Sequence, residues 1–321
     1  MSIGQKLLVH AFTAKDAITS LLTMMKFIRN WYAVIFLRLG FAKTIFIKSR
    51  FGAAGRISSW EEYELFRDEL YCANPLIYKP KLGKIWFQNC NDSYSFIYNG
   101  IKLTFSKEFL HDCLNVVLII YETFALEQYK DILSNMPDEI IDIGANIGDS
   151  SIYFALNGIK VIAYEPYRKV YLQAIENFKL NNLMDSIKIF NEGVGYSHQT
   201  KINNEIETKA GQPLMYDSQG STVLIRSMSE ITSSLDFSKK VSLKIDCEGC
   251  EYEFILNASP EELGKFHSII GEYHYGYLKL LKKFSEVGLR ASFSKPHIQY
   301  NKDSRTVMLV GNFYAYRDET K

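Results

Sequence analysis

Two short segments of this sequence place acidic residues beside glycines directly after apolar runs of strand length. The first segment reads Asp142-Ile-Gly-Ala-Asn-Ile-Gly-Asp149, and the second reads Asp246-Cys-Glu-Gly-Cys-Glu251. Glycine is favoured where a strand turns sharply into a helix and where a ligand approaches the backbone. Carboxylates at such turns can accept hydrogen bonds from hydroxyl groups or remove a proton. We therefore expect the chemistry of this chain to lie at these two turns.

A further acid, Glu165, follows the next apolar run, 21 residues beyond Gly144. At the carboxyl edge of a parallel sheet, an acid so placed can accept both ribose hydroxyls of a nucleoside. Asn146 and Asp149 depart from the dinucleotide fingerprint, and an acid at the start of a helix would repel a pyrophosphate. A ligand with a cationic amino-acid end and no phosphate fits better. S-adenosylmethionine is such a ligand, with Asp142 and the loop backbone at its methionine portion and Glu165 at its ribose.

These turns need a scaffold, and short apolar runs that alternate with helical stretches after Pro137 provide one. The pattern predicts a doubly wound α/β fold with a parallel sheet that is covered on both faces. The predicted strands are Glu139–Ile143, Lys160–Tyr164, Ile187–Phe190, Thr222–Ile225, Val241–Ile245, Ser268–Gly271, Arg290–Phe293 and Thr306–Phe313. The predicted helices are Ile147–Leu156, Tyr167–Leu180, Cys250–Leu256 and Tyr277–Ser285.

The part of the chain before Pro137 has a different pattern. Residues 1–47 and 107–136 are predicted to be helical, and Asn99-Gly100 predicts a tight hairpin turn, since both positions of such a turn need positive φ. The strands predicted around this turn are Lys84–Phe87, Ser95–Tyr98 and Ile101–Phe105. We therefore divide the chain into a helical and β-hairpin extension (1–106), a helical connector (107–136) and a catalytic domain (137–321).

Several segments of the predicted catalytic domain together resemble the FkbM family of S-adenosylmethionine-dependent methyltransferases. The segments are Ile140–Ser150, Tyr164–Pro166, Asn177 with Asn181-Asn182, and Lys244–Glu251. The resemblance covers about residues 137–313. It implies a class I methyltransferase fold, a Rossmann-like, seven-stranded, mostly parallel sheet whose final antiparallel strand would be Thr306–Phe313. The cofactor-binding residues expected from the motifs and the resemblance are Asp142, Gly144, Asn146, Gly148, Glu165 and Glu192.

The acids of the second turn are candidates for the reaction itself. An open parallel sheet presents its active site at the carboxyl ends of its strands, where Asp246, Glu248 and Glu251 are expected. Acids close together raise one another's pKa, which suits a general base. Glu251 is equally explained as an acid that stabilises the start of a helix. His274 ends the next strand and could add an imidazole, so the candidate catalytic residues are Asp246, Glu248, Glu251 and His274.

The composition limits which kind of molecule can receive the methyl group. With 37 Lys and Arg against 36 Asp and Glu, the chain lacks the basic character of a nucleic-acid-binding protein. The resemblance favours methylation of a hydroxyl on a small molecule, a sugar or a lipid-linked glycan. Two alternatives stay open at this stage, a nicotinamide-dependent oxidoreductase and a catalytically inactive cofactor-binding scaffold.

Residues 1–58 carry nine basic side chains and one acid among apolar residues. Internal cations disfavour a membrane-spanning helix, so this segment is expected either to pack on the main domain or to attach peripherally to an anionic membrane. Five scattered cysteines are not a disulfide framework, which favours a cytoplasmic location, at the inner face of the membrane if the segment binds lipid. We expect no metal, including at Cys247-x-x-Cys250. The polar stretch 200–220 is a candidate lid, and the oligomeric state is left open.

Overall fold

The computed structural model describes most of the chain from residue 21 to residue 317. The described residues are 21, 24–25, 28–50, 54–60, 62–63, 66–67, 88–89, 92–109, 113–196, 198–202, 220–301 and 306–317. The chain divides into two compact units. The smaller comprises residues 1–80 and 300–307, and the larger comprises residues 81–299 and 308–321.

The smaller unit contains a short helix and an antiparallel hairpin. Its elements are α1 (Trp31–Arg38), β1 (Ile45–Lys48) and β2 (Ala54–Ile57). The prediction of helix throughout 1–47 is wrong at β1, where Ile45 and Ile47 are buried while Phe46 and Lys48 are exposed. This alternation is the two-residue period of a strand. Among the residues that the structure describes, no helix is both long and apolar enough to cross a membrane.

From residue 88 to Pro137 three strands are followed by helical segments, and after Pro137 strands and helices alternate broadly as predicted. In chain order these elements are β3 (Gln88–Asn89), β4 (Ser93–Tyr98), β5 (Ile101–Ser106), α2 (Cys113–Ile120), a π-helical segment (Tyr121–Ala125), α3 (Lys130–Leu133), β6 (Glu139–Ile143), α4 (Asp149–Leu156), β7 (Lys160–Tyr164), α5 (Arg168–Leu180), β8 (Ile187–Phe190), β9 (Gly193–Val194), β10 (His198–Ile202), β11 (Ser221–Arg226), α6 (Met228–Ser233), β12 (Val241–Ile245), α7 (Cys250–Asn257), α8 (Pro260–Leu263), β13 (Ser268–Tyr273), α9 (Leu278–Glu286), β14 (Arg290–Phe293), β15 (His297–Asn301) and β16 (Thr306–Tyr316).

The central sheet has the strand order β14–β16–β13–β12–β6–β7–β8. The five strands from β13 to β8 in this order run parallel, and β16 runs antiparallel to both β13 and β14. Ile141, Leu243 and Ile269 are fully buried in neighbouring strands of this sheet. The predicted doubly wound sheet with a final antiparallel strand is therefore confirmed. The strand order reverses at β6, and ligands of open α/β sheets bind at the carboxyl ends of strands beside such a reversal.

One predicted strand, Thr222–Ile225, does not join the central sheet. It forms β11 of a separate sheet, antiparallel to β10 and parallel to β9. Only alternate residues of β11 are buried, as in a strand covered on one face, whereas the strands of the central sheet are covered on both. Most of the candidate lid, residues 203–219, lies outside the described residues.

The hairpin before the sheet forms as predicted, with Asn99 at φ 48° and Gly100 at φ 80° between β4 and β5. It packs on α5, where the backbone N–H of Ser106 donates to Asn177 Oδ1 at 2.8 Å. The boundary predicted after residue 106 therefore falls inside the larger unit. The connector is helical as predicted, through α2, the π-helical segment and α3. The strand predicted at Lys84–Phe87 lies outside the described residues.

Candidate active site

A cleft of about 690 Å³ opens at the carboxyl edge of the central sheet, beside the reversal of strand order. Seven predicted site residues line it, namely Gly144, Asn146, Glu165, Glu192, Asp246, Glu248 and His274. The other three, Asp142, Gly148 and Glu251, do not line this cleft. The two motif turns therefore face one cavity, which the sequence predicted, but several conspicuous motif residues lie beneath its surface.

The glycines of the first turn are required by packing. Gly144 has φ 72°, and a Cβ atom there would collide with the backbone carbonyl of Asp246. Gly148 has φ 84°, and a Cβ atom there would collide with the ring of Phe178. Gly144 therefore lets the two motif turns meet, and Gly148 lets α4 begin against α5, while the approach of a ligand to these glycines stays a prediction.

Asp142 lies under the first turn and is fully buried. Its Oδ1 atom is 2.9 Å from Lys244 Nζ, and its Oδ2 atom accepts hydrogen bonds from the hydroxyls of Ser150 (2.7 Å) and Ser151 (2.6 Å). Lys244 Nζ also donates to the carbonyl of Gly144 at 2.8 Å. Burial alone would lower the pKa of Lys244, but the carboxylates of Asp142 and Asp246 outweigh it and raise that pKa. The buried pair therefore supports the first turn from below.

Glu165 and Asn146 present hydrogen-bond acceptors at one end of the cleft. The backbone N–H groups of Asn146 (3.0 Å) and Tyr167 (2.9 Å) donate to the two carboxylate oxygens of Glu165. Burial raises the pKa of Glu165 to about 7 in spite of these bonds. Asn146 Oδ1 is buried and has no hydrogen-bond partner among the described residues. Each Glu165 oxygen keeps acceptor capacity, so this end of the cleft can accept hydroxyl or ammonium donors.

Glu192 lies nearby but has a partner of its own. Its two carboxylate oxygens accept from Arg226 Nε (2.8 Å) and Nη2 (3.1 Å), a bidentate pair that holds the side chain in place. Contact between Glu192 and a cofactor stays a prediction.

Acids and an imidazole meet at the other end of the cleft. His274 Nε2 is 3.3 Å from Glu248 Oε2 and 3.6 Å from Glu272 Oε2. Burial raises the pKa of Glu272 to about 9, and the charge of Asp246 adds to this. Burial also raises the pKa of Glu248. For His274 burial acts in the opposite direction, but the hydrogen bonds and charges of Glu248 and Glu251 outweigh it and raise the pKa to about 11. This end therefore gathers carboxyl groups that hold their protons more tightly than usual around a protonated imidazole.

Glu251 orients His274 from outside the cleft. It is fully buried, and its Oε1 atom is 2.9 Å from His274 Nδ1 and accepts the backbone N–H of His274 at 3.1 Å. Its Oε2 atom accepts the backbone N–H of Gly249 at 2.9 Å. These contacts assign Glu251 a positioning role, and its direct participation in the reaction stays a prediction.

Sequence reasoning missed three features of this cleft. The hydroxyl of Tyr129 donates a hydrogen bond to Asp246 Oδ2 at 3.4 Å. Tyr129 lies 117 positions earlier in the chain, so no local sequence pattern indicates this contact. Lys244 could have been found, because it lies opposite Asp142 in the register of β12 and β6. Cys247 and Cys250 form a disulfide with Cα atoms 5.4 Å apart. The expectation of no disulfide needs this correction. Positive φ at the two residues between the cysteines closes the turn.

The strand order, the final antiparallel strand and a cleft at the sheet reversal define a class I methyltransferase fold. Residues 142–288 match the family model described as the methyltransferase FkbM domain. Residues 142–288 therefore form an FkbM methyltransferase domain, a type of domain that uses S-adenosylmethionine. This confirms the resemblance found in the sequence and decides against the nicotinamide-dependent oxidoreductase.

Similar solved structures include a SAM-dependent methyltransferase from Agrobacterium tumefaciens (10% identity, TM-score 0.38, covering 72% of this chain and 71% of that chain). TYW2 from P. horikoshii in complex with MeSAdo is 14% identical (TM-score 0.35, 80% and 85% covered). Precorrin-6y C5,15-methyltransferase from Geobacter metallireducens is 11% identical (TM-score 0.34, 66% and 94% covered). No curated protein matches the sequence.

Proposed function

We propose that this protein binds S-adenosylmethionine in the cleft and methylates a hydroxyl group of a small molecule, a sugar or a lipid-linked glycan. One observation carries the proposal. A single cleft joins the acceptors of Glu165 and Asn146 to the acid and imidazole groups of Asp246, Glu248 and His274. The first group suits the ribose and amino-acid portions of the cofactor, and the second suits a hydroxyl that must lose its proton.

The residues at the first end fit the cofactor. Glu165 would accept the ribose hydroxyls, and the unpartnered Asn146 Oδ1 suits an ammonium or hydroxyl donor. When bound, the cofactor supplies an electrophilic methyl group. The first turn holds no basic side chain that would pair with a phosphate, and Asp149 lines the cleft at the start of α4. This charge pattern supports a cationic ligand over a dinucleotide.

The second end must position a hydroxyl and take its proton. Asp246 directly follows β12, and the hydroxyl of Tyr129 donates a hydrogen bond to it. Polar atoms of Asp246, Glu248 and His274 lie within 4.8 Å of one another. Glu272, with a pKa of about 9, is protonated at neutral pH and can donate a hydrogen bond but not act as the base. We assign proton removal to Asp246, with His274 and Glu248 beside it. A positioned base accelerates such a reaction by about 10²–10⁴-fold.

The first test is calorimetric titration of the full chain with S-adenosylhomocysteine, repeated with Glu165→Ala. Hydrogen bonds to a charged group contribute about 1.5–3 kcal/mol, so we expect the variant to bind about 10–100-fold more weakly. Glu176→Ala is the matched control, since Glu176 lies on α5 outside the cleft. Equal affinities of the wild type and Glu165→Ala would remove the ribose assignment. No binding by the wild type would remove the proposed cofactor site.

A second test separates an enzyme from an inactive scaffold. The protein is incubated with methyl-labelled S-adenosylmethionine and extracts of small molecules, sugars and lipids, with Asp246→Asn as the comparison. We expect label to enter a hydroxyl-bearing acceptor with the wild type and about 10²–10⁴-fold more slowly with the variant. Cofactor binding without transfer to any fraction would support the scaffold.

We also propose that residues 1–58 bring the protein to an anionic membrane surface. In α1 and the segment after it, Tyr32, Phe36 and Phe41 are exposed beside the exposed cations Arg38 and Lys43. Exposed aromatic and basic side chains together favour an anionic lipid interface. The test is co-sedimentation with phosphatidylserine vesicles and with neutral vesicles. We expect Phe36→Ser/Phe41→Ser to reduce binding to the anionic vesicles, and equal binding of both proteins would contradict the proposal.

A further inference from the structure

Three side chains at the second end of the cleft are arranged as ligands of a single ion. Asp246 and Glu248 follow β12, and His274 follows β13, the neighbouring strand. One ligand atom from each lies within 4.8 Å of the others. Ligands about 2.0–2.2 Å from one metal ion lie about 3–4.4 Å from one another, so a small contraction would bring all three into coordination.

His274 is held in the orientation that a metal ligand needs. Its Nδ1 atom is 2.9 Å from Glu251 Oε1, and Glu251 is fully buried and accepts two backbone N–H groups besides. Because Glu251 holds Nδ1, the Nε2 atom faces the cleft, 3.3 Å from Glu248 Oε2, and can bind a metal ion once it gives up its proton. A carboxylate that fixes the far nitrogen of an imidazole is the outer-shell arrangement typical of protein metal sites.

The charge balance around this group also favours a cation. Glu272 lies 3.6 Å from His274 Nε2 and adds a further carboxyl group to the cluster. Lys244 is the only lysine or arginine among the described residues that line the cleft, and its ammonium group is already bonded to Asp142 and to the carbonyl of Gly144. Among the described residues that line the cleft, His274 is therefore the side chain left to face these carboxyl groups with a positive charge, and a metal ion bound there would take over that role.

We propose that Asp246, Glu248 and His274 bind one divalent cation of the first transition series, with Mn²⁺ as its representative. Two carboxylates suit a hard cation, and the imidazole favours Mn²⁺, Fe²⁺ or Zn²⁺ over Mg²⁺ and Ca²⁺. Binding displaces the proton that the carboxylates otherwise hold on Nε2, and three protein ligands leave coordination positions for substrate and water. This site is distinct from the cysteine pair for which the sequence analysis considered a metal.

The role of the ion, unlike its binding, rests on the proposed function. A hydroxyl coordinated to the cation loses its proton more readily, as metal-bound water does. An acceptor with two neighbouring oxygens would occupy two of the open positions. The substrate class that fits is therefore a vicinal diol or a hydroxy acid, which sugars and many small metabolites contain.

Binding is tested on the full chain, treated with a chelator and titrated with Mn²⁺ while the spin resonance of free Mn²⁺ is recorded. We expect one Mn²⁺ per chain in the wild type. Loss of an outer-shell partner weakens metal binding by about 10–100-fold, and we expect Asp246→Asn and His274→Ala to exceed that loss. His297→Ala is the matched control, because His297 lines the same cleft outside the cluster. Cys247→Ser/Cys250→Ser excludes the sulfur ligands, and we expect it to bind Mn²⁺ like the wild type.

Titration of the same variants with S-adenosylhomocysteine shows that they are folded and separates the two proposals. Cofactor binding without Mn²⁺ binding in the wild type would overturn the cation site and leave the proposed function standing. Mn²⁺ binding without cofactor binding would overturn the proposed function and leave the cation site standing. Equal Mn²⁺ affinity of the wild type, Asp246→Asn and His274→Ala would also overturn the cation site. Zn²⁺ and Mg²⁺ titrations then rank the ions, and Mg²⁺ binding as tightly as Mn²⁺ would overturn the assigned class of cation.

Discussion

The two ends of the cleft are built in different ways. At the first end, Glu165 is held by backbone N–H groups of Asn146 and Tyr167, all within 21 residues of one another. At the second end, His274 is held by the side chain of Glu251, and Asp246 is contacted by Tyr129 from a distant part of the chain. A backbone-built end depends on the turn and tolerates changes in surrounding side chains. An end built from side chains depends on each partner, so single substitutions there should have larger effects.

The largest effect should come from Lys244→Ala, because the ammonium group of Lys244 bonds the first turn and lies 5.6 Å from the ring of Tyr129, which contacts Asp246 at the second end. Removing one partner of a buried ion pair costs about 3–5 kcal/mol, since Asp142 would stay buried without its cation. We expect this loss in the free energy of unfolding, measured by urea denaturation, together with weaker cofactor binding. Lys239→Ala is the control, because Lys239 is an exposed lysine near β12. A loss below about 1 kcal/mol would mean that Asp142 is stabilised by its serine partners alone.

A smaller and one-sided effect is expected from Glu251→Gln. The glutamine has one acceptor oxygen where Glu251 uses two, so its NH2 group must face either the N–H of Gly249 or the two donors of His274, and the hold on His274 Nδ1 weakens. We expect kcat to fall about 10-fold while the affinity for S-adenosylhomocysteine is unchanged. Methyl transfer is measured alongside calorimetry, and Glu253→Gln on the same helix is the comparison for charge. A matching loss of cofactor affinity would show that the two ends are not independent.

The pH dependence of cofactor binding should report on Glu165 together with Asp149, which lines the same cleft and whose pKa burial also raises to about 7. The Glu165 pKa of about 7 in the free protein comes first from burial, and the ribose hydroxyls need the ionised form. Affinity for S-adenosylhomocysteine should therefore fall about tenfold per pH unit below 7 and level off above it. Glu165→Gln should bind weakly, and the pH dependence that it keeps between about pH 5.5 and 8.5 then reports on Asp149. A flat wild-type profile would show that Glu165 is already ionised in the free protein.

The same pKa has the opposite consequence for stability without ligand. Because the folded-state pKa of Glu165 is above its ordinary value, its contribution to stability is complete below about pH 4.5 and is lost as the pH rises through about 7. Burial raises the pKa of Asp149 to about 7 as well, so it acts in the same direction. Glu165→Gln should lessen the decline of the melting temperature across this interval. An unchanged decline would assign it to Asp149 or to other groups.

The contrast between the two ends explains what the sequence could predict. Glu165 and Gly144 follow predicted strands at fixed spacings, so their place at the carboxyl edge could be inferred from periodicity. Asp142 was expected to contact the cofactor, because the pattern placed it near a strand end without showing that Lys244 pairs with it across the sheet. The contact of Tyr129 with Asp246 depends on tertiary packing, so no spacing in the sequence predicts it.

The carbonyl of Asp246 occupies the space that a side chain at position 144 would need. Every amino acid reachable from a glycine codon by one nucleotide change carries a Cβ atom, so each such mutation at this codon should separate the two motif turns. Gly158 has a similar φ of 81°, but nothing lies within 4 Å of its missing side chain. A saturation scan should therefore find that codon 144 accepts glycine only, while codon 158 also accepts asparagine. Genetic variation at the centre of this enzyme is limited by the distance between two loops and not by contact with its substrates.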